Sequence, residues 1–214
     1  MFREMRAALN IPKSVDILEH IRSLSLEPDS EDALSSPRSR AVEVIQNIER
    51  SAMIVQTPQP GLTELMRYLD QRKVRKALCT RNFQLPVMHL LGRFLPGVIF
   101  EPIITREAKG IQPKPSPEGL WKIAQHWGLA EEAELAGREV FDPLLLARKH
   151  LGSGLIMVGD SADDMAAGRR AGAATVLLLN EDNEHVVGKE NPDEVIGRLD
   201  DLIEILERGF VGRD

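Results

Sequence analysis

One cysteine, Cys79, stands in 214 residues, so no disulfide can close within the chain, and a disulfide-stapled secreted scaffold is excluded. Long apolar runs are also lacking: no segment reaches the roughly 20 residues of a membrane-spanning helix. The start, Met1 to Arg6, has no apolar core of signal-peptide length. A cytoplasmic chain with no membrane partner is the default expectation. Basic clusters are nearly absent from a chain of formal net charge -6, which gives nucleic acid no surface to bind. The single short run, Arg72, Lys73, Arg75 and Lys76, lies between an expected helix and an expected strand and reads as a solvated helix end. No internal repeat is found. What is present, 43% hydrophobic and 28% charged residues, suits one α/β core with a small additional segment.

The most informative stretch runs from Leu155 to Gly172. Leu155 to Val158 fits a strand covered on both faces, and Gly159 allows a tight turn. Asp160 is then placed at the carboxyl edge of a sheet, where open α/β folds bind ligands. Ser161 can cap the following helix, Asp163 and Asp164 fall in its first turn, and Gly172 supplies a left-handed stop before a strand from Thr175 to Leu179. Good capping alone accounts for Asp, Ser and Gly in such a turn, and a metal site accounts for them equally.

Two further strand-to-helix junctions carry groups suited to phosphate. Val74 to Cys79 reads as a strand that delivers Thr80, Arg81 and Asn82 ahead of the apolar stretch Leu85 to Leu91. A hydroxyl and free backbone N–H groups there can hold an anion, although Thr80 alone would also serve as a helix cap. In Gln112 to Glu118, Pro115 and Pro117 stiffen the loop that presents Lys114, with Ser116 as an expected N-cap and Pro117 at the first helical position. A solvated surface lysine is the alternative.

Taken together, these residues resemble the haloacid dehalogenase-like hydrolase superfamily, in particular its phosphatases. Thr80 matches the second family motif, Lys114 the third, and Asp160 with Asp164 the Gly-Asp-Ser-x-x-Asp form of the fourth. The resemblance implies a three-layer, Rossmann-like parallel sheet with a small helical cap. It implies that Thr80, Arg81, Asn82 and Lys114 bind phosphate, that Lys114 has a catalytic part, and that Asp160 and Asp164 hold Mg2+. The implied substrate is a small phosphorylated metabolite, hydrolysed as a phosphoric monoester. Haloacid dehalogenation uses the same type of nucleophile and stays open.

The first family motif, Asp-x-Asp-Gly-Thr, occurs nowhere in the chain. In the family its first Asp attacks phosphorus and its second is the general acid and base. Glu139 to Pro143 is the one substitute to weigh, and Asp142 with Pro143 reads better as a helix start; Asp16, Asp29 and Asp32 lack a preceding apolar strand. Residues 1–57 read as a partial helical cap, with Ser14 capping one helix and Ser36 with Pro37 starting another, and residues 58–214 as the core. The expectation is a hydrolase truncated at its N-terminus and inactive as written, or a non-catalytic phosphate-binding or interaction protein on the same fold. Loss of the first, central strand would leave edges open to self-association.

Overall fold

The structure, a computed structural model, describes residues 1–27, 35–129 and 154–210. The chain divides into two compact units, residues 1–57 with 85–90, and residues 58–84 with 91–214.

The first unit is helical: α1 (Phe2–Ala8), α2 (Ile17–Ser23) and α3 (Pro37–Val55). Both α1 and α2 pack on α3, burying Met5, Ile17, Ile21, Ala41, Ile45 and Ile48. Ser36 caps α3 by accepting from Ser39 N–H, with Pro37 in the first turn, as the sequence predicts. The cap of α2 is a correction. Asp16, not Ser14, accepts from the N–H groups of Leu18 and Glu19. A carboxylate nearer the first turn gains from the helix dipole as well as from the two bonds.

The second unit is α/β. In chain order it holds α4 (Leu62–Gln71), β1 (Leu78–Cys79), the ends of α5 (Gln84–Phe94), β2 (Ile103–Ile104), α6 (Glu118–His126) and β3 (Ile156–Gly159). Then come α7 (Ala162–Ala171), β4 (Ala174–Leu178), α8 (His185–Glu190), β5 (Glu194–Ile196) and α9 (Asp201–Glu207). All strand pairs are parallel. Among the described residues they form two sheets, β1–β2 and β3–β4–β5, with β4 central in the second. Every residue of β4 is buried, although Thr175 and Leu177 face one way and Ala174, Val176 and Leu178 the other, so both faces of the sheet are covered.

One apolar cluster joins the sheets. Ile104 from β2 and Met157 from β3 pack with Leu120, Ile123 and Ala124 of α6 and Ala167 and Ala171 of α7, with Ala77 and Cys79 at its margin. The small residues of α7 let it lie close to the sheet. A Cβ at Gly168 would stand 2.7 Å from Thr175 Cγ2 and 3.0 Å from Met157 Cβ.

Several local expectations need revision. The strand expected over 74–79 is confined to Leu78–Cys79, and the one expected over 98–104 to Ile103–Ile104, because Pro102 has no N–H to continue a ladder. The stretch 181–191, read as a polar loop, contains α8, which buries Val186 against Met165 and Leu177. Helix α6 begins at Glu118 with Pro117 in the cap position, and Ser116 Oγ accepts from Glu118 N–H. The basic run before β1 is engaged: Arg72 pairs with Glu207, Lys76 with Asp70, and Arg75 donates to the Trp127 carbonyl. Asp29, Asp32 and Glu139 to Pro143 lie outside the described residues.

Gly168→Ala gains about 1 kcal/mol of helix propensity but incurs about 1–3 kcal/mol of overpacking against β3 and β4, so net destabilisation is expected. Urea denaturation should show the midpoint falling. Adding Thr175→Ser, which removes the clashing methyl, should recover part of it.

Candidate functional site

Three loops meet at the carboxyl ends of β1 and β3. The first is Thr80-Arg81-Asn82, whose backbone is strapped to the segment after β2. Thr80 N–H donates to the Ile104 carbonyl, Arg106 N–H to the Asn82 carbonyl, and the Arg106 guanidinium lies 3.5 Å over the Phe83 ring. Thr80 is not the cap of α5. Phe83 occupies that position, Glu107 accepts from Gln84 N–H at 2.8 Å, and Thr80 Oγ1 instead accepts from Asn82 N–H at 3.1 Å. The hydroxyl proton of Thr80 is thereby left to point elsewhere.

The second loop carries Lys114. Its Nζ donates to the Cys79 carbonyl at 2.7 Å and to Asp164 Oδ1, and the side chain is only 10% exposed. Arg170 of α7 donates to the Pro115 carbonyl, so α7 holds this loop at two points.

The third is Gly159-Asp160-Ser161 at the head of α7. Ser161 and Asp164 form a reciprocal cap: Ser161 Oγ accepts from Asp164 N–H, while Asp164 Oδ2 accepts from Ser161 N–H, Ser161 Oγ and Asp160 N–H. Both Asp164 oxygens are therefore taken by protein donors. Only glycine fits at 159, because a Cβ there would sit 2.5 Å from Asp164 Cγ and Oδ2. A continuous chain of bonds runs from the Cys79 carbonyl through Lys114 and Asp164 to Asp160 N–H, linking the segments of Thr80, Lys114 and Asp160.

Charges at this site do not balance. Asp164 faces Lys114 and Asp163 faces Arg81, but no cation pairs with the Asp160 carboxylate among the described residues. Its side chain reaches solvent, yet the protein packed against its inner side raises its pKa, and the Asp164 charge adds to the rise. Burial likewise pushes the Cys79 thiol up, which keeps it protonated and inert.

Among the described residues no group of three or more His, Cys, Asp or Glu side chains could enclose a metal. The donors present would fit a hard cation that keeps most of its water: one uncompensated carboxylate, Asp160, beside the Thr80 loop. Magnesium suits such a site, since it is commonly held by one or two carboxylates, waters and substrate phosphate.

Sequence reasoning passed over Glu107, Arg170 and Asn183. The first two brace loops from a distance, and Asn183 Nδ2 donates to the Asp160 carbonyl at 2.8 Å. No local pattern marks them, because each acts across a gap in the chain.

A family model described as haloacid dehalogenase-like hydrolase matches residues 13–172. The chain belongs to the haloacid dehalogenase-like hydrolases. An uncharacterized hydrolase of Saccharomyces cerevisiae is 37% identical over 210 residues, covering 97% of this chain and 82% of the relative. A haloacid dehalogenase-like hydrolase domain-containing protein of Arabidopsis thaliana is 33% identical over 205 residues, covering 93% and 69%. Among solved structures, a hydrolase from Pseudomonas syringae superposes with a TM-score of 0.64 at 19% identity, over 97% of this chain and 88% of that one. A predicted phosphoglycolate phosphatase from Haemophilus somnus gives 0.62 at 16% identity, over 94% and 87%. A mutant of CbbY from Rhodobacter sphaeroides, in complex with xylulose 1,5-bisphosphate, gives 0.58 at 16% identity, over 94% and 86%. The α/β architecture with parallel sheets is thus that of this hydrolase family. No helix among the described residues is long and apolar enough to cross a membrane.

Lys114→Met removes one partner of a buried pair, leaving Asp164 charged and the Cys79 carbonyl unbonded. A loss of about 3–5 kcal/mol is expected in urea denaturation at pH 7, and Lys114→Met combined with Asp164→Asn should lose less than the two single changes added together. A second expectation concerns pH. Because the folded-state pKa of Asp160 is raised, ionisation favours the unfolded chain. The resulting destabilisation is absent below the ordinary carboxylate range and grows as pH rises through it to the folded-state value. Asp160→Asn should therefore raise Tm modestly at pH 7, a gain that shrinks towards zero at pH 3; a thermal melt series in metal-free buffer checks it.

Proposed function

We propose that this chain binds Mg2+ and the phosphoryl group of a small phosphate ester, as the electrostatic part of a phosphatase site. The observation that carries the reading is the bonded path from the Cys79 carbonyl through Lys114 and Asp164 to Asp160, with the Thr80 loop alongside. Lys114 has three N–H groups and spends two on Asp164 and Cys79, which leaves one to meet a phosphoryl oxygen and offset its charge. The Thr80 hydroxyl and the backbone N–H groups beside it orient the remaining oxygens. Asp160 would hold the cation, and Asp164, with both oxygens engaged, positions Asp160 rather than touching the metal. When bound, Mg2+ draws charge from the phosphoryl oxygens. Arg81, held by Asp163, gives a second cation at the rim of the loop.

These residues supply no bond-forming atom. None is an activated nucleophile, and hydrolysis would need a carboxylate that none of them provides, so in this reading they make a binding site without turnover. The phosphorylated compounds named for two structural relatives support a small phosphate ester as ligand. A second reading, a phosphate-binding or interaction protein with no catalytic task, is favoured by one fact, the absence of any Asp-x-Asp-Gly-Thr sequence.

The test is calorimetric titration of the 214-residue protein with inorganic phosphate, with and without 5–10-fold excess MgCl2 over the ion's midpoint, alongside a p-nitrophenyl phosphate assay. Phosphate binding that requires Mg2+ and disappears in Asp160→Asn and in Thr80→Val is expected, with phosphate release at background. No binding under any condition would overturn the site. Turnover abolished by Asp160→Asn would overturn the claim that these residues lack a nucleophile.

A further inference from the structure

The carboxylate that would meet the cation is aimed by a residue 23 positions further along the chain. Asp160 has its N–H held by Asp164 Oδ2 at 3.2 Å, which fixes the peptide before it. The peptide after it is held at both ends, Ser161 N–H donating to Asp164 Oδ2 at 3.1 Å and, from the other side, Asn183 Nδ2 donating to the Asp160 carbonyl at 2.8 Å. The Asp160 side chain leaves its Cα between these two restrained peptides.

Asn183 is suited to this task and little else. It is 5% exposed, and its amide is fully used: the same Nδ2 donates to the Leu178 carbonyl at the end of β4, also at 2.8 Å, and Oδ1 accepts from Asn180 N–H at 2.8 Å. Two carbonyls and one N–H around the group leave a single orientation of the amide that satisfies all three. Val186, three residues on and 2% exposed, anchors the following helix on Met165 and Leu177, so the loop that carries Asn183 cannot drift.

We propose that Asn183 is a positioning residue for the cation site, indexing the Asp160 backbone to the end of the neighbouring strand. The inference rests on the reading of Asp160 as the Mg2+-binding carboxylate. It adds that one of the three bonds holding the peptides on either side of Asp160 comes from the loop after β4, outside the Gly-Asp-Ser-x-x-Asp segment. Outer-shell partners of metal ligands typically change affinity by about 10–100-fold when lost. Asn183 should fall in that range, because it orients the ligand residue through its main chain.

The test uses MgCl2 alone as the probe and the midpoint of the Mg2+-dependent rise in Tm as the readout. Asn183→Asp keeps the acceptor for Asn180 N–H but removes both donated bonds, and Asn183→Ser is a milder second variant should the first fold poorly. Ile205→Val, in the terminal helix, is a destabilised control. Both Asn183 variants should move the Mg2+ midpoint at least about 10-fold upward, while Ile205→Val lowers Tm and leaves the midpoint where it was. A wild-type midpoint retained in both Asn183 variants, with the response still abolished by Asp160→Asn, would overturn the role of Asn183 and leave the metal reading standing. No Mg2+ response in the wild-type protein would overturn both.

Discussion

The ammonium group of Lys114 is the constraint on which the rest of this site depends. It sits between two sheets that share no strand pairing among the described residues, and it bonds to the backbone of one, at Cys79, and to the helix that follows the other, at Asp164. A lysine with a side chain this buried is costly unless both its charge and its donors are met. Here a carboxylate meets the charge and two oxygens take two of the three donors. The low dielectric that makes the arrangement expensive also makes it direct: a lysine so held cannot sample the many rotamers of an exposed one, and its remaining N–H is aimed before any ligand arrives.

Asp164 shows why the acidic residues of this turn are not interchangeable. It accepts from Ser161, from Asp160 N–H and from Lys114, so it acts at once as helix cap, counter-ion and brace. That triple use is possible only because Gly159 has no Cβ to keep the carboxylate away. Asp163, one residue earlier, points to Arg81 and ties the Thr80 loop to the same helix. Asp160 alone keeps its oxygens for something else.

How much of this was legible in the sequence follows the range of the interactions. The cap of α3, the turn after Gly159, the Ser161 cap and the stop at Gly172 depend on residues within four positions of each other, and each was readable there. Family membership was legible in Thr80, Lys114 and Asp160, because their residue types and order are specific. The bonds that link their segments were not, since Lys114 reaches Cys79 and Asp164 across 35 and 50 residues. Glu107, Arg170 and Asn183 had no signal at all: a polar residue in a polar stretch looks solvated until the fold buries it or gives it a partner. Helix α8 was lost for a related reason, because a six-residue helix with one buried valine presents too short a period to detect.

Nearly every polar group near the site is therefore occupied by another polar group of the protein, and the exceptions define what it can bind. Among the groups left unspent in the described residues are a carboxylate with a raised pKa, one lysine N–H and a threonine hydroxyl proton. The first favours a cation and the other two an anion, and they are carried by three loops that one network of bonds holds together. A lone cation would satisfy Asp160 but crowd Lys114, and a lone phosphate would satisfy Lys114 but crowd Asp160. Each ion offsets the repulsion the other meets, so the two should bind with positive coupling, each tighter in the presence of the other by the same factor. In the proposed reading a magnesium-bound phosphate ester would bring both charges together and leave none of these three groups unpaired.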